Sequence, residues 1–165
     1  MKLFLSLIIL IIVLHSCEKN WAAGRDVEIY LLEDGRLMQD ACKLDASSAK
    51  LASRPVLRSK DIVSYSSSTY IFTLSEEAFA SMEALTDKTL FAVTVDGEVI
   101  YFGIVKPFFS SSSCDKSITM NNTRADNTIE MRLGYPGQIA GVVIEDKRND
   151  PRLIATFQSL GKLVP

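Results

Sequence analysis

The chain has 165 residues, 47% of them hydrophobic and 23% charged, with 18 basic residues against 20 acidic ones and a formal net charge of −2. That length suits one domain with a full core, and no basic run or stripe stands out, which argues against a nucleic-acid partner. One histidine, His15, and three cysteines, Cys17, Cys42 and Cys114, bound the available chemistry further.

In chain order, Met1-Lys2 is followed by twelve residues, Leu3 to Leu14, of which only Ser6 is polar. A transmembrane helix needs about 20 apolar residues, so the run reads as the core of a signal peptide, residues 1–16, destined for removal. Leu14-His15-Ser16-Cys17 resembles the lipobox of bacterial lipoproteins, with His15 where a small residue is usual. The resemblance implies cleavage before Cys17, attachment of a diacylglycerol to it, and usually an N-acyl chain such as palmitate. Several acyl chains at one residue give stable anchoring where one is marginal.

Two consequences follow for the mature chain. Taking residues 1–16 from 165 leaves 149, with 17 basic residues against 20 acidic and no histidine. Ser-His-Asp and Cys-His nucleophilic machinery, histidine-containing zinc sites and imidazole general bases are thereby excluded. Lipidation of Cys17 leaves an even pair of cysteines in a compartment that permits disulfides. A Cys42–Cys114 bridge would close a loop of 72 residues, about 4 kcal/mol in the chain-entropy model. The alternative is two reduced cysteines, one of them buried as a small hydrophobe.

Residues 17–26 are polar or small apart from Trp21 and read as a lipidated tether of at most ~35 Å. Residues 27–165 read as a single globular domain. Val27-Glu28-Ile29-Tyr30-Leu31-Leu32 predicts a first strand ended by Glu33-Asp34-Gly35, and residues 36–60 predict one or two short strands. Asp61 to Tyr65 and Tyr70 to Leu74 are strand-like, and Ala78, Phe79, Met82 and Leu85 then recur at helical spacing behind Thr73 or Ser75 as N-cap. Leu90 to Val95 and Glu98 to Phe102 flank Asp96-Gly97, which predicts a two-residue type I′ hairpin pairing Val95 with Glu98, Val93 with Ile100 and Phe91 with Phe102.

Lys116 to Met120 and Asn127 to Leu133 are two further strands, followed by a Gly-Pro loop over residues 133–137 and the apolar Val142-Val143-Ile144. Asp150 as N-cap, Pro151 at the first position, Leu153, Ile154, Phe157 and Leu160 on one face and Gly161 as the stop predict a closing helix. The expected class is α+β: a mostly antiparallel sheet with helices at about 75–85 and 151–160 packed on it.

Over residues 61–120 the chain resembles the first periplasmic domain of the translocase subunit SecD. The likeness rests on Asp61-Ile62, on Phe72-Thr73-Leu74-Ser75-Glu76-Glu77, on Phe91 to Ile100 with its Asp96-Gly97, and on Ile118. It implies a fold and no chemistry. Over nearly the whole mature chain there is a closer resemblance to small exported lipoproteins of Gram-negative bacteria, of uncharacterised function. It is carried by Val27 to Asp34, Phe91 to Gly97, Ser110-Ser111-Ser112-Ser113-Cys114-Asp115, Leu133-Gly134-Tyr135-Pro136-Gly137, Asp146 to Asp150 and Gly161-Lys162-Leu163. This implies family and not activity.

Three groups of residues invite a functional reading. Ser110 to Ser113 with Lys116 as base and Asp115 as orienting group could present a nucleophile, but a loose serine loop beside a disulfide cysteine is the plainer reading. Glu145, Asp146 and Asp150 match no calcium loop, and the interposed Lys147 and Arg148 supply countercharges. Lys106, Pro107, Phe108, Phe109, Ser110, Ser111, Ser112 and Ser113 form the candidate binding surface. Neighbours in a strand point to opposite faces, so Phe108 and Phe109 cannot both enter one core if the strand continues. Aromatic pairs usually find core, which favours a bend after Pro107 folding both rings inward; the alternative leaves one exposed.

The expected function is that of a membrane-anchored envelope lipoprotein acting as a non-enzymatic binding or structural module, with no catalytic residue, metal or cofactor. A histidine-free hydrolase or thiol-dependent protein is the alternative, and assistance to protein export, by fold analogy, a second. The expected partners are the membrane, through the lipid on Cys17, and an envelope protein or glycan. The expected location is outside the cytoplasm, on the outer rather than the inner membrane.

Overall fold

The computed structural model describes residues 25–38, 42–123 and 125–165. The leader and Cys17 lie outside the described residues. The elements in order are β1 (Val27–Leu37), β2 (Leu44–Leu51), β3 (Leu57–Arg58), β4 (Ile62–Ser66), β5 (Ile71–Leu74), α1 (Glu76–Glu83), β6 (Leu90–Val95), β7 (Glu98–Val105), β8 (Cys114–Asn121), β9 (Thr128–Tyr135), α2 (Pro151–Ser159) and β10 (Leu163–Val164). Strands pair in the order β10-β4-β5-β9-β8-β7-β6-β1-β2, with β3 also on β1.

The α+β class holds, but the sheet is mixed and largely antiparallel: β7 pairs with β8 in parallel, and β10 with β4 in parallel. Parallel neighbours need a connection that carries the chain back along the sheet, normally a dozen residues or more. Between β7 and β8 residues 106–113 alone do this, so the segment read as a loose serine loop is a tight crossover.

Alternation along the central strands separates two faces. Phe91, Val93 and Val95 of β6 and Val27 and Ile29 of β1 belong to the main core, with Leu153 and Phe157 of α2 and Ala78 and Met82 of α1. At its centre the ring centroids of Tyr65, Phe72 and Phe157 lie 4.6 to 5.7 Å apart. The opposite face carries a smaller cluster, Ile104, Cys114 and Tyr135, with Cys42 and Leu90 against it. Cys42 and Cys114 are disulfide-bonded, their Cα atoms 5.0 Å apart, so the return of the β1–β2 hairpin is tied to the start of β8.

The Asp96-Gly97 turn forms with both residues at positive φ, 53° and 79°, as a type I′ turn requires. Its register departs from the simple expectation after two pairs. Val95 faces Glu98 and Thr94 faces Val99, but Val93 then faces Tyr101 and Phe91 faces Gly103. The one-residue bulge lets the consecutive Ile100 and Tyr101 both join the core. It also puts Gly103 under the Phe91 ring, where a Cβ would meet Phe91 Cζ at 2.2 Å.

Both helices form close to their expected bounds. Ser75 is the N-cap of α1, accepting from Ala78 N–H at 3.3 Å, and Asp150 caps α2, accepting from Arg152 N–H at 3.0 Å. Leu160 does not join the buried face of α2; it is the C-cap residue, exposed where the chain turns at Gly161, and Thr156 is buried in its stead. β1 runs on through Gly35 in place of stopping there, because it goes on pairing with β2 as far as Leu37 opposite Leu44. Residues 142–147 are not a strand: Ile144 enters the core while Val143 is 91% exposed.

Candidate functional site

The crossover from β7 to β8 is organised by Lys106. Its backbone N–H donates to Met120 O at 2.8 Å, extending the β7–β8 ladder by one bond, and its side chain is 1% exposed. Buried lysines need partners, since an unpaired ammonium in the interior loses its hydration for nothing. Lys106 Nζ donates to Ser112 Oγ at 2.7 Å, Ser112 O at 3.1 Å and Ser110 Oγ at 3.4 Å. It lies 3.1 Å from Asp87 Oδ1, an ion pair whose angle is not that of a hydrogen bond.

Burial works to raise the Asp87 carboxyl, but the close Lys106 ammonium and the Ser110 hydroxyl outweigh it and hold the group below the ordinary carboxylate value. The Tyr135 ring lies 6.0 Å from the ammonium, and its hydroxyl is shared between Phe108 O at 2.6 Å and Ser110 O at 3.1 Å. Phe108 N–H donates to Thr123 Oγ1 at 3.0 Å, and Ser110 N–H closes a turn on Pro107 O at 2.9 Å.

With its polar atoms drawn inward to Lys106 and Tyr135, the loop turns its two phenylalanines outward. Phe108 is 71% exposed and Phe109 78%. The expected inward bend therefore occurs in backbone only. The strand ends at Val105, the chain turns after the buried Pro107, and both rings face solvent rather than core. Two adjacent exposed phenylalanines forgo roughly 3 to 5 kcal/mol of hydrophobic burial. The bonds that hold them out are spread over Asp87, Lys106, Ser110, Ser112, Thr123 and Tyr135.

The candidate nucleophile takes a different form from the one read in the sequence. The lysine beside the serines is Lys106; Lys116 is exposed on β8. Lys106 Nζ reaches Ser110, Ser112 and Asp87 together and so clasps the crossover to the turn that carries Asp87. Among the anchors, Asp87, Thr123 and Tyr135 were missed in the sequence. They stand 19, 17 and 29 residues from Lys106, in three different elements or turns, and only the folded sheet brings them together.

The acidic stretch before α2 is paired off. Glu145 binds Lys147 at 2.8 Å, and Asp146 takes two hydrogen bonds from the Arg148 guanidinium, at 2.9 and 2.7 Å. Those bonds hold the Asp146 carboxyl below its ordinary value. Arg148 also lies 3.5 Å from the Tyr70 ring centroid and donates to Met131 O, closing the 142–150 segment over the core. Beside this segment β7 and β8 part before their first pair, Gly103 with Ile118, leaving a crevice of about 320 Å³. Lys43, Lys116 and Lys147 rim it over an apolar floor that includes Phe102 and Ile104.

No protein-family model, no curated protein and no solved structure matches this chain.

Proposed function

We propose that this protein is a lipid-anchored module of a bacterial cell envelope that binds through the 106–113 crossover and performs no catalysis. The observation that carries the reading is the pair of exposed rings, Phe108 and Phe109, on a backbone fixed by a buried lysine. A loop with only a structural duty would gain by turning those rings inward; one that keeps them out and rigid is pre-organised for contact. The anchor rests on the lipobox at Leu14 to Cys17 and the apolar run before it. It places the domain within reach of a membrane outside the cytoplasm, the outer membrane in the proposed location.

Two variants test the halves of this reading separately. Cys17→Ser is expected to leave the protein without its lipid mass and to release it from the membrane fraction; a variant still membrane-bound at unchanged mass refutes the anchor. In lipidated protein, Phe108→Ser with Phe109→Ser is expected to abolish the contacts that a photo-crosslinker at Ser111 makes with envelope protein or lipid, while thermal unfolding stays within about 2 °C of the parent. Unchanged crosslinking refutes the binding surface.

A further inference from the structure

The occupant of the tip can be narrowed by area, by surroundings and by reach. Aromatic side chains bury roughly 150 to 250 Å² each, so two rings about three-quarters exposed offer roughly 300 Å². A stable protein interface, a dimer of this chain included, needs about 800 Å² a side with complementary shape. Within the crossover the neighbours add little apolar area: Ser111 and Ser113 are exposed and polar, and so is Lys88, whose N–H bonds Val105 O two residues before Pro107. A bilayer surface demands no complementary shape, and its hold simply scales with the apolar area inserted. It accepts a pair of rings at the acyl boundary and a lysine at headgroup level.

Reach agrees. The tip follows the C-terminal end of β7, while the chain enters the domain at the other end, where Asp26 N–H donates to Asp96 Oδ1 beside the hairpin turn. The eight residues of β7 set these ends roughly 25 Å apart. Residues 17–26 extend to at most ~35 Å, so a tether fixed at Cys17 can run the length of the sheet and let the tip meet the bilayer that holds the anchor.

We infer that Phe108 and Phe109 insert into the lipid surface of the membrane to which the protein is anchored, making the crossover a second, reversible membrane contact. The inference rests on the proposed anchoring and binding role and names the partner of that same loop. A lipid on Cys17 already concentrates the domain at the surface, so weak insertion suffices to fix its orientation.

The test uses the chain's one tryptophan. Lipidated protein with Trp21→Phe and Phe108→Trp is reconstituted into phosphatidylcholine vesicles whose acyl chains carry bromine. Emission from position 108 is expected to shift to the blue and to be quenched by the bromolipid, whereas a tryptophan placed at Glu98, at the far end of the sheet, stays aqueous and unquenched. In parallel, mature chain bearing Cys17→Ser is sedimented with the same lipid, and Phe108→Ser with Phe109→Ser is expected to lower its partitioning about tenfold or more. An unquenched tryptophan at 108 together with unchanged partitioning overturns the inference. If, in that case, the double serine variant still loses crosslinks to an envelope protein, the binding role stands with a protein partner; if it keeps all of them, that role falls as well.

Discussion

Lys106 shows how one side chain can set the exposure of others. Its side chain is 1% exposed and its ammonium is met by Ser110, Ser112 and Asp87, which pull the crossover backbone against the sheet and leave the phenylalanines outside. Replacing it by methionine keeps the stem and removes the charge, leaving Asp87 without its countercharge but still with the 3.4 Å hydrogen bond that Ser112 Oγ donates to its Oδ2. We expect Lys106→Met to cost about 2 kcal/mol in urea unfolding, less than the 3–5 of a fully buried pair because Asp87 remains a third open to water. No loss, with the loop unchanged in hydrogen exchange, would show that the clasp is not what holds it. The same pair carries a pH signature. Because the folded Asp87 carboxyl sits below its ordinary value, its contribution is full above about pH 4 and is lost as pH falls through the lower folded value. The deficit of Asp87→Asn relative to the parent should therefore be largest at pH 7 and shrink on acidification towards pH 2; a constant deficit would remove the carboxylate from the account. None of this was legible in the sequence, where a lysine at a strand end reads as solvated and its partner stands 19 residues upstream in a turn.

At the scale of elements, local chemistry was legible and the bulge was not. Capping by Ser75 and Asp150 is short-range physics, and so is the positive φ of Asp96-Gly97, and each takes the expected form. The β6–β7 register depends on which residues fit beneath Phe91, a contact between strands that no turn motif encodes. The sheet slips by one residue so that Gly103, and not Phe102, lies opposite that ring. Gly103→Ala tests the point. A Cβ 2.2 Å from Phe91 Cζ cannot be accommodated without displacing a fully buried ring, and we expect a loss of about 3 kcal/mol. Adding Phe91→Leu to Gly103→Ala should cost less than the two changes made separately sum to, because the smaller side chain vacates the space the methyl needs. Simple additivity in the cycle would place the strain elsewhere.

For the whole molecule, the two faces of the sheet are held by different means. The helix-covered face gathers most of the buried apolar residues, including the Tyr65, Phe72 and Phe157 cluster, and it is closed from above by the Arg148 clasp. Among the described residues the cluster on the opposite face has three buried members, with the hairpin return and the crossover beside it, and it is there that Cys42 meets Cys114. A covalent link stands where apolar burial is thin, the usual place for a disulfide to matter. The pairing could be read from cysteine arithmetic, but the reason for it could not, since the parallel β7–β8 pair that forces the crossover is a long-range feature with no local signal. Breaking the bridge should accordingly act on one face. In the Cys42→Ser, Cys114→Ser variant the unfolded chain regains the freedom of a 72-residue loop, so global stability should fall by up to about 4 kcal/mol. Amide protection should drop selectively over residues 42–46 and 106–117, while α2 and the strands β4 and β5, whose buried side chains join the main core, keep their protection relative to the lowered global stability. The crossover would then lose the rigidity that holds Phe108 and Phe109 outward, and a tryptophan at 108 should show increased mobility in its fluorescence anisotropy. Protection lost evenly from both faces would mean that the disulfide stabilises the domain only by loop closure and has no part in shaping the tip.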